Sequence, residues 1–132
     1  MRRVPGVAIA AVVAFALVTL VALEGREVVV LETTGADGRP RRTRTWIADD
    51  GASAWIEAAT PDRPFLLDLQ RTPALVLERG GVRRPCRAEI APDPEGHERI
   101  RAVLRARYGW ADRWIGLVAD TRRSRGVRLE CP

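Results

Sequence analysis

Arg39, Arg41, Arg42 and Arg44 crowd into one stretch, GRPRRTRTWIADDGASAWIEA (residues 38–58), with Trp46 directly after them. Guanidinium forks grip phosphate or carboxylate through two parallel hydrogen bonds, and an indole offers flat apolar area for stacking. Together they are the groups that would hold a flat anionic guest. The same stretch reads as a hairpin, with Asp50-Gly51 favouring a two-residue turn. Pairing about that turn sets Trp46 opposite Trp55, Arg44 opposite Glu57 and Thr45 opposite Ile56. Side chains alternate across a strand, so Thr43, Thr45, Ile47, Ala54, Ile56 and Ala58 share a small apolar face suited to a barrel interior. Arg42, Arg44, Trp46, Trp55 and Glu57 share the other. Two structural uses of that second face stay open. Arg44–Glu57 would be a cross-strand ion pair worth about a few tenths of a kcal/mol, and the tryptophans would pack under a helix or between two copies of the chain.

A second aromatic group, Tyr108-Gly109-Trp110-Ala111-Asp112-Arg113-Trp114, could line a pocket with Tyr108 and Arg113. The one-turn spacing of Trp110 and Trp114 equally suits a helix packing into a core. No nucleophile–base pair and no glycine-rich phosphate loop is visible, so no catalytic residue is named and any redox chemistry would be lent by a cofactor. His97, among Glu95, Glu98 and Arg99, falls on a solvated helix face. Cys86 and Cys131, 45 positions apart with one histidine in the chain, do not make a metal site. They either join as a disulfide in an exported domain or sit unpaired in strands.

All 22 basic residues are arginine, and the formal charge is +5. From residue 24 onward 20 arginines face 17 acids, a mild excess spread along the chain, which excludes the concentrated patch of a nucleic-acid binder. Val4 to Leu23 carries no charge and has the length of about 20 residues needed to cross a bilayer as a helix. A cleaved signal peptide is the alternative, but the apolar run is long for one, and Leu20 at the −3 position makes cleavage after Ala22 unfavourable. The chain thus divides into an anchor, 1–23, and one soluble domain, 24–132, in a single-pass membrane protein bound to lipid. Arg2 and Arg3 favour a cytoplasmic N-terminus, the arginines of the domain pull the other way, and the side stays open.

Within the domain, β-branched runs and turn glycines mark strands at Arg26–Thr33, Pro40–Asp49, Ala52–Ala59, Ala74–Glu78, Val82–Ile90 and Gly126–Cys131. Helices fall at Arg63–Arg71, from Pro92 to Tyr108, and at Trp110–Asp120, the last placing Trp114, Leu117 and Val118 on a common side. This order predicts an α+β domain: a small closed or half-closed antiparallel barrel with peripheral helices.

Three stretches then resemble the deazaflavin-dependent nitroreductase/quinone reductase family: VVVLETTGADGRPRRTRTWIADDGASAWIEA, DRPFLLDLQRTPALVLERGGVRRPCRAEI and RYGWADRWIGLVADTRRSRGVRLE. The likeness covers about residues 26–131 and lies in the order of features, from the Gly-x-Pro-Arg strand to Tyr-Gly-Trp-x-Asp-Arg. It implies a split β-barrel related to the pyridoxamine-phosphate-oxidase-like flavin-binding proteins, often dimeric, that binds coenzyme F420 or FMN and passes hydride to quinones or nitro compounds. It further implies that Arg42, Thr43 and Arg44 contact cofactor phosphate and that Trp46 or Trp55 borders the ring. Tyr108 and Arg113 would complete the pocket or a homodimer edge. The chain departs from the family where Arg44 replaces an expected proline and Phe65 an expected tryptophan. The choice between F420, FMN and no cofactor therefore stays open. A non-catalytic barrel binding a flavin-like or haem ligand or a protein partner is the competing expectation, and arginines meeting anionic lipid a third.

Overall fold

The computed structural model describes residues 4–132. Arg2 and Arg3, which carry the orientation argument, lie outside the described residues. Helix α1 spans Val4–Glu24, followed by β1 (Val28–Thr34), β2 (Pro40–Asp50), β3 (Ser53–Ala58) and α2 (Pro64–Arg71). Then come β4 (Ala74–Arg79), β5 (Val82–Ile90), α3 (Glu95–Tyr108), α4 (Trp110–Val118) and β6 (Arg125–Glu130). The strands close in the order β1-β2-β3-β6-β5-β4, each neighbouring pair antiparallel. This is the α+β barrel with peripheral helices that the strand and turn signals predict.

Alternation fills the barrel. Leu31, Ile47, Ile56, Leu75, Leu77, Val127 and Leu129 point inward, and Phe65, Leu66 and Leu69 of α2 join them. A second cluster lies outside the barrel wall, where Ala48 and Trp55 meet Ile100, Leu104, Tyr108 and Ile115 of α3 and α4. Ala22 of α1 is buried in this outer cluster too. Residues Pro5–Glu24, with mean hydropathy 2.7, make a helix long and apolar enough to cross a membrane.

The hairpin register differs from the expected one. Asp50 pairs with Ser53, Asp49 with Ala54, Ala48 with Trp55 and Ile47 with Ile56, a slide of two residues. The reason is local: Gly51 takes φ 63° and no non-glycine residue among those described has positive φ. Asp50 therefore stays in the ladder and the loop is Gly51-Ala52, glycine being free to adopt the left-handed region. A slide of two leaves every side chain on its original face, so Ile47, Ile56 and Ala58 are buried inside as expected. Trp46 is not opposite Trp55, and Arg44 is not opposite Glu57.

Helix α3 rides directly on β6. A Cβ on Gly126 would lie 2.5 Å from the Gly96 carbonyl oxygen and 3.1 Å from Ile100 Cβ. Gly126→Ala is expected to cost about 1–3 kcal/mol through this overlap, read as a lower urea midpoint with unchanged slope. His97 is not on a solvated face: its Nδ1 lies 2.9 Å from Ser124 Oγ and 3.0 Å from the Ser124 carbonyl, tying α3 to the start of β6. Helix α4 turns Ala111, Asp112 and Ile115 toward the barrel, while Leu117 and Val118 are exposed and Trp114 leans on α1.

Candidate functional site: a cleft where the barrel parts

β2 has eleven residues, yet only its last four, Ile47–Asp50, pair with β3. The first seven, Pro40–Trp46, pair with β1 alone. Where β2 leaves β3 a cleft of about 710 Å³ opens, within the range of about 300–1,000 Å³ usual for small-molecule sites. One wall is the arginine strand, from Arg41 to Trp46; the others come from the start of α2, Arg63 to Phe65, and the end of α4 with the loop beyond it.

Of the sequence-predicted residues, Arg42, Thr43, Arg44 and Trp46 border this cleft. Trp55, Tyr108 and Arg113 do not. Trp55 is buried in the outer cluster, and Arg113 is exposed on α4. The Tyr108 hydroxyl donates to the Ile47 carbonyl at 2.6 Å and accepts from the Glu27 amide at 3.0 Å, pinning α3 to β1 and β2. The arginines of β2 also divide by partner. The Arg42 guanidinium is already held by Glu78 at 3.0 Å and Glu32 at 3.7 Å. Arg41 is held by the buried Asp68, which Thr33 and Arg71 also engage. Arg44 and Arg63 have no ion-pair partner among the described residues.

A further residue at the cleft is not apparent from the sequence. Arg26 is buried, its side chain only 1% exposed, and its guanidinium carbon sits 3.8 Å from the centre of the Trp46 ring. Asp112 is its counter-charge at 3.4 Å. Asp112 in turn accepts from Arg101 at 2.7 and 2.8 Å, and Arg101 grips Glu57 at 2.9 and 3.2 Å. Burial pushes the Arg26 pKa down, with Asp112 opposing it. For Arg101 burial works in the same sense, but Glu57 and Asp112 outweigh it and hold its charge more firmly than usual. Arg26 Nε is buried with no hydrogen-bond partner. A buried donor left unused is costly, and this one belongs to a residue of the cleft lining beside an indole.

These are groups for binding. The free arginines supply positive charge, Thr43 a hydroxyl and Trp46 a flat wall, with the Arg26 guanidinium packed on the indole. They fit a planar, phosphorylated heterocycle.

Solved structures share the architecture. A conserved hypothetical protein of Mycobacterium tuberculosis aligns with TM-score 0.59 at 22% identity, over 80% of this chain and 72% of that one. An F420-H2 dependent reductase, FDR-A, aligns with TM-score 0.58 at 17% identity over 80% and 95%. Another structure, described as an F420 reductase, gives 0.55 at 19% over 81% and 87%. No curated protein matches the chain. Fold and cleft define a small antiparallel β-barrel with peripheral helices and a ligand-sized cleft in its side. The chain belongs to the F420H(2)-dependent quinone reductase family, whose model matches residues 11–120. It is accordingly an oxidoreductase by family. The match begins inside α1, so the last two thirds of that helix are part of the shared region.

Proposed function

We propose that the protein is a membrane-anchored oxidoreductase that takes coenzyme F420 in the cleft beside β2 and passes its hydride to a quinone or nitro acceptor. The observation that carries this reading is the meeting, in one cleft, of the free Arg44 and Arg63 with the Trp46 indole that Arg26 holds. The family supports F420 over FMN. When bound, the coenzyme supplies the hydride. Arg44 and Arg63 hold the phosphate end by charge-assisted hydrogen bonds, and Thr43 donates a further one. Arg42, committed to Glu78 and Glu32, shapes the field more than it binds. Trp46 would border the ring, and Arg26, stacked on the indole, would hold that indole in place. Asp112, Arg101 and Glu57 keep Arg26 in place. Residues 1–23 serve as the anchor and 24–132 as the barrel domain, an arrangement that suits an acceptor dissolved in lipid.

Titration of the purified chain with F420 and with FMN, followed by fluorescence, tests the site. Arg44→Ala should weaken F420 binding by about 10- to 100-fold, the worth of one charged hydrogen bond, while Arg42→Ala changes it far less. Equal binding by Arg44→Ala and the unaltered protein, or no binding of either cofactor, would sink the assignment.

A further inference from the structure

Outside α1 and α4, the large exposed apolar residues are Val28, Leu67 and Val82, scattered over the described surface. On the nine residues of α4 there are three: Trp110 at 57% exposure, Leu117 at 82% and Val118 at 44%. The helix does not stand alone. Its Trp114 ring meets the Phe15 ring at 5.3 Å, and the Trp114 indole nitrogen donates to Thr19 Oγ1 at 2.7 Å. Both contacts fall within the run of α1 that is apolar enough to span a bilayer.

That placement fixes a depth. At 1.5 Å of rise per residue, Thr19 lies about 7–8 Å along the helix from Glu24 and Phe15 about 13–14 Å. Interfacial helices lie with their apolar face about 5–10 Å into the boundary between headgroups and acyl chains. If α1 crosses the membrane with Glu24 at its surface, the Thr19 contact carries α4 to that depth and the Phe15 contact sets the Trp114 ring at its lower margin. An indole whose ring packs on phenylalanine and whose nitrogen finds a hydroxyl suits this zone. The charges agree. Arg105, Arg107, Arg113 and Arg123 lie on α4 or close to its ends in sequence, are exposed, and have no ion-pair partner among the described residues. Arginine at this level reaches lipid phosphate.

We propose that α4 is a second membrane-contacting element, an interfacial helix that lies among the lipid headgroups beside α1. Ile115 and residues 119–121, which border the cleft, then hold its mouth at the lipid surface. This rests on α1 spanning the membrane. The link to a lipid-soluble acceptor rests in addition on the function proposed above, but the test needs neither cofactor nor turnover.

The full chain is reconstituted in vesicles of mixed zwitterionic and anionic phospholipid, with an environment-sensitive fluorophore on Leu117→Cys or, for reference, on Asp37→Cys in the β1–β2 turn. The native cysteines are joined to each other and do not take the label. The Leu117 probe should emit to the blue, be quenched by lipid bearing a nitroxide just below the headgroup, and resist aqueous iodide. The Asp37 probe should behave oppositely. In the unlabelled protein, brominated lipid should quench tryptophan emission, and Trp110→Phe should remove part of that quenching. A Leu117 probe as open to iodide as the Asp37 probe overturns the proposal. So does one shielded from iodide yet untouched by lipid nitroxide, which would mean that a second copy of the chain covers α4. Protein that washes off vesicles in high salt overturns it together with the span.

Discussion

Asp112→Ala is expected to cost about 3–5 kcal/mol of stability, the usual penalty for removing one partner of a buried ion pair. The Asp112 side chain is 2% exposed and lies between two arginines. Arg101 would keep Glu57. Arg26 would keep a carbonyl contact to Ala111 at 3.4 Å and the faces of Trp46 and Tyr108, but no carboxylate at its guanidinium, with its charge still out of water. For a domain of this size the loss should lower Tm by about 10 °C or more. Asp112→Asn, which preserves shape and removes charge, should recover little. Arg26→Met combined with Asp112→Leu should be more stable than either single Asp112 variant, because apolar replacement of a buried pair is often neutral. A Tm for Asp112→Ala within a degree or two of the unaltered protein would mean that the base of the cleft is wet. The structural basis for having Arg26 hold the Trp46 indole would go with it.

The second large effect lies at the opposite edge of the barrel. Cys86 on β5 is joined to Cys131, just past β6, across 45 residues. Closing a loop of that size removes freedom from the unfolded chain, and by loop entropy the bond contributes about 4 kcal/mol. The double variant Cys86→Ser with Cys131→Ser should unfold at a correspondingly lower urea concentration. Pretreatment of the unaltered protein with thiol should produce the same shift, and the variant should not respond to thiol. Unfolding curves unmoved by thiol would contradict the linkage. Such a bond persists in oxidising compartments and is opened in a reducing one, so the protein's stability depends on where its barrel resides.

Much of the barrel could be read from single residues. Gly38, Gly51, Gly80 and Gly81 all take positive φ, and each marks a turn where the composition placed one. β-branched runs gave the strands, because period and burial are local properties of a chain. The hairpin register slipped by two because either Asp50-Gly51 or Gly51-Ala52 makes a credible turn, and only backbone geometry separates them. Parity, set by alternation, survived.

The cleft was half legible. The arginine strand and Trp46 could be found because they are neighbours in sequence. The difference between Arg42 and Arg44 could not, since it comes from Glu78 on β4 and Glu32 on β1. The burial of Arg26 depends on Asp112, 86 positions away, and no periodicity encodes a contact of that span. Tyr108 drew attention as a pocket aromatic, but its hydroxyl serves two backbone groups that meet only once the barrel has closed.

Along Pro40–Trp46, β2 has a neighbouring strand on one side only. The amides and carbonyls on its other side form the kind of open row onto which a stray strand from another molecule can add, the first step of fibrous aggregation. Pro40 withholds one amide. Two such rows brought together would also set arginine against arginine. The arginines of this strand would thus keep its open row from adding to a second copy of the chain.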